Sequence, residues 1–447
     1  MRNDKQRPNV VVVYVDDMGY GDLSCFGGPR GRTPHIDRLA AEGIRFTQFY
    51  VNSPICSPSR TALTTGQYPA RWRITSFLET RQSNAARGMA QWLDPKAPTM
   101  ARALQQRAGY ATGHFGKWHM GGQRDVGEAP LITEYGFDAS LTQFEGLGDR
   151  VLAMLDDRDG KPPRKMPLGE GSEKLGRGKI TWRDRAEVTD AFVDAATAFM
   201  EKAEKAGKPF YVNVWPDDVH SPFFPPAGMR GDGSKRALYD GVLRHMDAQL
   251  GRLFDFVRTD PKRRDNTLVL FASDNGPEPG AGSAGPFRGA KANLYEGGIR
   301  TPLIAWGPGL LPSSHAGSTN DRAVLSAVDI AASLPRLAGI EPERAADLDG
   351  EDLSATLLGR SEAGRRAPLF WSRPPDRPGP PRNPWPDLAI RDGDWKLLLW
   401  DTPKERVTLH NLRADPRERS DLASAHPDVV RRLRTALLDW RKTLPKM

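Results

Sequence analysis

Six apolar residues in a row, at positions 10–15, stop abruptly on two aspartates, Asp16 and Asp17. A run without polar alternation has no face to give to water. Both faces must be covered, as happens in parallel sheets with helices on either side. The chain keeps this theme. Ile44–Tyr50, 110–115, 209–215 and Thr267–Ser273 read as further strands. Helical stretches fall between them: one from Pro34, capped at Thr33 and closed by Gly43, then 99–107, 186–205 and 234–258. The predicted fold class is α/β, a large mixed and mostly parallel sheet flanked by helices.

Three of these strands run into polar clusters: Asp16-Asp17, then Asp217 and Asp218 with His220, then Asp274-Asn275. Ligands of open α/β sheets bind beyond the carboxyl ends of strands, so residues far apart in the chain are predicted to meet at one edge. The stretch 156–179, rich in Gly, Pro and charge, reads as a surface loop, and the proline-crowded 373–386 as extended chain. Beyond Gly359 the character changes. Segments 388–391 and Trp395–Trp400, about Asp392-Gly393-Asp394, read as an antiparallel hairpin, and 427–444 as a final helix. With 447 residues to distribute, one large unit plus a small attachment is expected. The division predicted is a main α/β domain, 1–359, and a C-terminal α+β subdomain, 360–447.

Composition excludes some classes. No apolar run approaches the ~18 residues of a transmembrane helix. The formal net charge of +8 favours polyanions at long range. No zinc-finger spacing or repeated basic helix accompanies it, so nucleic acid is not an expected partner. Two cysteines, Cys25 and Cys56, do not make a disulfide scaffold, although a bridge between them is open on paper. No apolar segment near the start reads as a signal peptide. That fits a cytoplasmic protein or one whose leader is missing.

The sharpest motif is Cys56-Ser57-Pro58-Ser59-Arg60, followed by Thr61 and then Thr65-Gly66. Ser57 or a neighbour can cap a helix with Pro58 in its first turn. Cys56 would then sit at a helix N-terminus, where the dipole and free N–H groups favour an anion. Taken alone this leaves two readings, an activated thiol or a buried structural cysteine.

The pattern Cys-x-Pro-x-Arg with Thr-x-x-x-Thr-Gly resembles the signature of the type I, formylglycine-dependent sulfatases, members of the alkaline phosphatase superfamily. The resemblance extends from Asn9 to about Gly359, with the family's blocks in the family's order. It implies that Cys56 is oxidised to formylglycine by a formylglycine-generating or anaerobic sulfatase-maturating enzyme. One hydroxyl of the hydrated aldehyde would attack sulfur, and the other would let sulfate leave. Asp16-Asp17 and Asp274-Asn275 resemble the two metal motifs and, with Cys56, would bind one Ca²⁺. Three carboxylates and an amide form a hard oxygen set that suits Ca²⁺ over Zn²⁺. Lys117 and His119, in Gly116-Lys117-Trp118-His119, would bind sulfate oxygens and assist sulfate release. His220 and Lys291 would hold the bridging oxygen and serve the leaving alcohol. Arg60 would fix the metal side. Glu296 and Arg300 would be structural, in a turn that holds Lys291.

The resemblance further implies a sulfated carbohydrate as substrate, with a lean to sulfated galactose or N-acetylgalactosamine. Trp72, Arg81, Trp182 and Trp371 are the candidate sugar contacts. A periplasmic or secreted location is expected, with a cytoplasmic one as the alternative. Two rival functions stand beside this one. The first is a phosphonate or phosphodiester hydrolase on the same scaffold. The second is a sulfoglycan-binding protein whose Cys56 is never converted.

Overall fold

A computed structural model describes residues 7–29, 32–341, 348–373 and 385–446. Its strands, in chain order, begin with β1 Asn9–Val15, β2 Ile44–Tyr50, β3 Ala111–Gly116 and β4 Ala139–Leu141. Then come β5 Arg150–Leu155, β6 Arg164–Lys165, β7 Ile180–Asp184 and β8 Phe210–Trp215. After these follow β9 Thr267–Ser273, β10 Arg300–Trp306, β11 Ser318–Asn320 and β12 Leu325–Ser326. The last four are β13 Leu369–Ser372, β14 Leu388–Asp392, β15 Trp395–Trp400 and β16 Arg406–Asn411.

The main sheet has the order β11-β2-β10-β9-β1-β8-β3-β4, with β12 also pairing with β2. The pairs β1/β8, β1/β9, β3/β8 and β3/β4 are parallel, whereas β10 is antiparallel to both β9 and β2. The predicted class therefore holds: the sheet is mixed and mostly parallel. The valine run explains why β1 lies in the middle. Val10, Val12 and Tyr14 enter one apolar cluster, and Val11, Val13 and Val15 enter another on the opposite face. A period-two side-chain pattern with two buried faces requires apolar residues at every position. Helices Val188–Lys205 and Lys235–Thr259 supply the second cluster, and helices Met100–Ala108 and Ala327–Leu337 the first.

The direction of the strands positions the site. β1, β2, β3, β8 and β9 all send their carboxyl ends to one edge. Because β10 runs the other way, its amino end and the short helix Glu296–Ile299 before it arrive at the same edge.

Three local readings need correction. The stretch 156–179 is not simply a loop. It holds β6 and the helix Pro167–Glu173, and β6 pairs with β5 in a three-stranded sheet with β7. Charge and glycine hid these elements because both β6 and the helix are short and largely solvent-facing. The helix Cys56–Thr65 is preceded by Ile55, with no side-chain cap. Ser57 lies inside the helix, one residue past its start, and its hydroxyl accepts the Leu78 N–H at 3.0 Å. The C-terminal hairpin is part of a four-stranded antiparallel sheet, β13-β14-β15-β16, packed against the helix Pro427–Lys442. Most of 373–386 lies outside the described residues. Cys25 and Cys56 are both free thiols. Among the described residues no helix is long and apolar enough to cross a membrane.

Candidate active site

The end of β1 delivers Asp16 and Asp17, and the end of the adjacent β9 delivers Asp274 and Asn275. All four are fully buried. Gly276 follows because the chain passes very close to the helix Glu296–Ile299 there. A Cβ at Gly276 would lie 1.9 Å from the Gly297 carbonyl oxygen. β3 ends similarly at Gly116, with φ +127° and a hypothetical Cβ 2.2 Å from the Trp215 carbonyl oxygen. Only glycine lets β3 turn so tightly against β8, and the turn presents Lys117 to the same edge. Cys56 opens the helix that follows β2.

The side chains form one tight polar network. Arg60, completely buried, donates through Nη2 to Asp274 Oδ2 at 2.8 Å and Asp16 Oδ1 at 3.2 Å. Lys117 Nζ lies 2.7 Å from Asp16 Oδ2, and Lys291 Nζ 2.5 Å from Asp17 Oδ2. His220 Nε2 stands 3.7 Å from that same Asp17 oxygen, and its Nδ1 lies 2.7 Å from the Ser221 carbonyl. Since a carbonyl only accepts, Nδ1 carries the hydrogen and Nε2 is left free to accept. Cys56 Sγ is 3.9 Å from Asp17 Oδ1. Asp17 has φ +63° and His119 φ +55°. Such conformations cost non-glycine residues free energy and collect at functional sites.

Burial and the charge of Asp16 push Cys56 well above the ordinary thiol range. A protonated thiol is a weak nucleophile. Burial likewise drives Asp274 up, reinforced by Asp16, while Lys117, His220 and Arg60 overcome burial to hold Asp16 down. Three carboxylates crowd together here.

Ligand atoms of Asp16, Asp17, Cys56 and Asp274 all lie within 4.8 Å of one another. Asn275 donates its Nδ2 to Asp17 Oδ1 at 2.8 Å, yet its buried Oδ1 has no hydrogen-bond partner among the described residues. An orphaned amide oxygen beside three buried carboxylates fits a hard cation.

The remaining sequence-selected residues divide. Both ring nitrogens of His119 meet protein groups: its Nε2 is 2.9 Å from the Leu78 carbonyl, and its Nδ1 is 3.2 Å from Glu145 Oε2. Asp217 pairs with Arg185 at 3.3 Å, and Asp218 accepts the Thr189 hydroxyl. Both serve the packing behind β8. Trp371 is only 1% exposed and gives its indole N–H to the Val51 carbonyl at 2.8 Å, so it cannot stack on a sugar. Trp72 packs, partly buried, on the main cluster. Trp182 lies under the Lys165 ammonium at 4.4 Å and donates to Glu173. Arg81 is exposed and paired with Glu128.

Two charged neighbours of the site escaped the sequence reading, Glu145 and Arg124. Both sit on connections around β4, a three-residue edge strand too short to recognise by pattern.

The sulfatase family profile matches residues 8–340. The N-acetylgalactosamine-6-sulfatase of Canis lupus familiaris is 32% identical over 407 residues, spanning 88% of this chain and 72% of that protein. The N-acetylgalactosamine-6-O-sulfatase of Bacteroides thetaiotaomicron is 30% identical over 517 residues, spanning 98% and 94%. Among solved structures, the PsFucS1 sulfatase from Pseudoalteromonas sp. superposes with a TM-score of 0.73 at 26% identity, covering 99% of this chain and 92% of its own. The chain belongs to the sulfatase family. It is a hydrolase of sulfate esters.

Proposed function

We propose that this sulfatase acts on a sulfated carbohydrate, with sulfated galactose or N-acetylgalactosamine preferred, through formylglycine at position 56 and one Ca²⁺. The observation that carries the catalytic reading is the convergence of Asp16, Asp17, Arg60, Lys117, His220, Asp274, Asn275 and Lys291 about Cys56 at one sheet edge. The substrate preference rests on the two N-acetylgalactosamine 6-sulfatases to which the chain is similar.

Converted Cys56 supplies, as a hydrated aldehyde, the oxygen nucleophile that the buried thiol cannot. Asp16, Asp17, Asp274, Asn275 and residue 56 would hold Ca²⁺, which supplies positive charge to a sulfate oxygen. Arg60, bridging Asp16 and Asp274, keeps these carboxylates in place. Lys117, beside Asp16, would stabilise charge on the non-bridging sulfate oxygens, and Lys291, beside Asp17, would hold the bridging oxygen with His220. His220 is part exposed and commits its Nδ1–H to Ser221, so Nε2 is the nitrogen through which an imidazolium would protonate the bridging oxygen. His119 assists release of sulfate. Trp72, Arg81 and Trp182 stay in the proposal as sugar contacts; Trp371 leaves it. The division at 359/360, a maturation enzyme as partner and a periplasmic or secreted location belong to the same proposal.

Peptide mass spectrometry of the Cys56 segment from active protein tests the chemistry. The expected peptide is lighter by the difference between cysteine and formylglycine. An unmodified thiol in protein that turns over would overturn the mechanism; an unmodified thiol in inactive protein would indict the expression host. Rates on aryl sulfates against aryl phosphates and phosphonates separate the rival hydrolase. A two-metal phosphatase needs a second ligand cluster, and among the described residues the candidate metal groups both contain Asp16 and Cys56. Sulfate-selective turnover is expected.

A further inference from the structure

Glu145 is buried, its side chain 5% exposed, on the connection after β4. One oxygen, Oε2, stands 3.1 Å from Lys117 Nζ and 3.2 Å from His119 Nδ1. The other, Oε1, is 3.5 Å from Arg124 Nη2. Its backbone carbonyl also accepts the His119 amide N–H at 2.8 Å. A single residue thus grips the Lys117–His119 segment by main chain and side chain together.

The ring geometry gives this contact its meaning. His119 Nε2 faces the Leu78 carbonyl, an obligate acceptor, so Nε2 carries hydrogen in the neutral ring. Nδ1 is then the basic nitrogen, and what faces it is the Glu145 carboxylate. Neither Nδ1 nor Oε2 has a hydrogen-bond partner among the described residues, although they approach to ion-pair distance. The contact is one of charge: a carboxylate stands beside the basic ring nitrogen. Burial holds the His119 pKa low, and Lys117 and Arg124 add to that, while Glu145 opposes it.

We infer that Glu145 is a positioning residue for sulfate hydrolysis: its carboxylate and its backbone carbonyl together orient Lys117 and His119. This rests on the roles proposed above for Lys117 and His119. No proton needs to reside on Glu145, because the flanking cations keep it ionised.

The test is Glu145→Gln, which keeps shape and removes charge, beside Glu145→Asp. Lys117→Ala and His119→Ala serve as controls, and formylglycine content is measured in every sample. The expected result for Glu145→Gln is a kcat lower by ~10²-fold with KM within ~3-fold, since misplacing catalytic groups costs that order. Asp should recover part of the loss. The imidazole nitrogen chemical shifts of His119 should move in Glu145→Gln, because a neutral amide replaces the carboxylate 3.2 Å from Nδ1. If Gln fails to fold or convert, the Asp variant is read by the same spectrum. Unmoved His119 nitrogen shifts, or wild-type kcat in converted Glu145→Gln, overturn the inference while leaving the proposed function standing. Full activity in Lys117→Ala and His119→Ala would instead sink the proposed function, and the inference with it.

Discussion

Two clusters of buried charge lie close together in this chain, and they behave differently. Around Cys56, Asp16, Asp17 and Asp274 face Arg60, Lys117 and Lys291, with an unpartnered amide oxygen on Asn275. Lys396 of β15 forms the second cluster, 2.9 Å from both Glu296 Oε1 and Glu418 Oε1. Glu296 Oε2 accepts the Tyr50 hydroxyl at 2.6 Å, and Glu418 Oε2 accepts the Glu296 amide N–H at 2.7 Å. Three of the four carboxylate oxygens there accept a hydrogen bond, and the fourth, Glu418 Oε1, meets Lys396 as an ion pair only. The first cluster is incomplete in a different way: three carboxylates crowd around an amide oxygen that has no partner among the described residues. The second joins both carboxylates through one ammonium, and it clamps the C-terminal sheet onto the helix that follows Lys291. Ion pairing alone does not mark a functional site; unfilled coordination does.

The comparison breaks most sharply at position 56. Cys56→Ala should reduce turnover by at least ~10⁴-fold, as loss of a nucleophile does. Stability should change by no more than about 1 kcal/mol, because the thiol has few polar commitments. Steady-state rates and urea unfolding on the same preparation check both halves. A Cys56→Ala protein with normal multiple turnover would end the distinction.

Lys396→Met should do the reverse. Removing the one ammonium leaves two buried carboxylates facing each other, a loss of about 3–5 kcal/mol in unfolding free energy. Lys291→Met makes the contrasting pair: activity lower by ~10²–10³-fold, with stability in calcium shifted by less than about 1 kcal/mol. Replacing Glu296, Lys396 and Glu418 together by Gln, Met and Gln should recover most of the lost stability, since an apolar or neutral core can match a buried ion cluster. If Lys396→Met unfolds like the wild type, the second cluster is not a clamp.

These contrasts also explain which parts could be read from the chain. The residues of the incomplete cluster were legible because they terminate strongly apolar strands, as Asp16 and Asp274 do, or carry a compact motif, as Cys56 to Arg60 does. Lys291 came through resemblance, and the antiparallel β10 explains how it reaches the edge. The clamp was not legible. Glu296 read as part of a turn, and nothing in sequence brings Lys396 and Glu418 to it across a sheet made of β13 to β16, two strands of which were missed. Glu145 was hidden for a related reason, since it follows an edge strand of three residues. Trp371 failed in the opposite sense. A tryptophan in a polar context looks like a sugar platform, yet β13 turns it inward onto Tyr50 with ring centroids 6.1 Å apart.

The mildest test of the comparison is pH. Burial pushes Glu418 up to about 7, with the charge of Glu296 in the same direction and Lys396 opposing. Lys396 and Arg300 overcome burial to hold Glu296 down at about 2. The two carboxyls therefore act in opposite pH windows. Glu418, raised in the folded state, contributes stability that is complete below the unfolded value near ~4.5 and is lost as pH rises through about 7. Glu296, depressed in the folded state, contributes stability present above that unfolded value and lost only as pH falls toward about 2. Between pH ~5 and ~8 the Glu418 effect is active and the Glu296 effect is not. Glu418 is worth of order 1–3 kcal/mol, beside the smaller same-sign effects of Asp22, Asp218, Asp247 and Asp329, which burial raises to about 6. Urea unfolding at both ends of that window should show the wild type less stable at the alkaline end. Glu418→Gln should reduce the difference while leaving kcat within ~3-fold. An unchanged slope in Glu418→Gln would assign the pH dependence to the other carboxyls that burial raises to about 6, Asp22, Asp218, Asp247 and Asp329, and the second cluster would then hold no pH-sensitive proton.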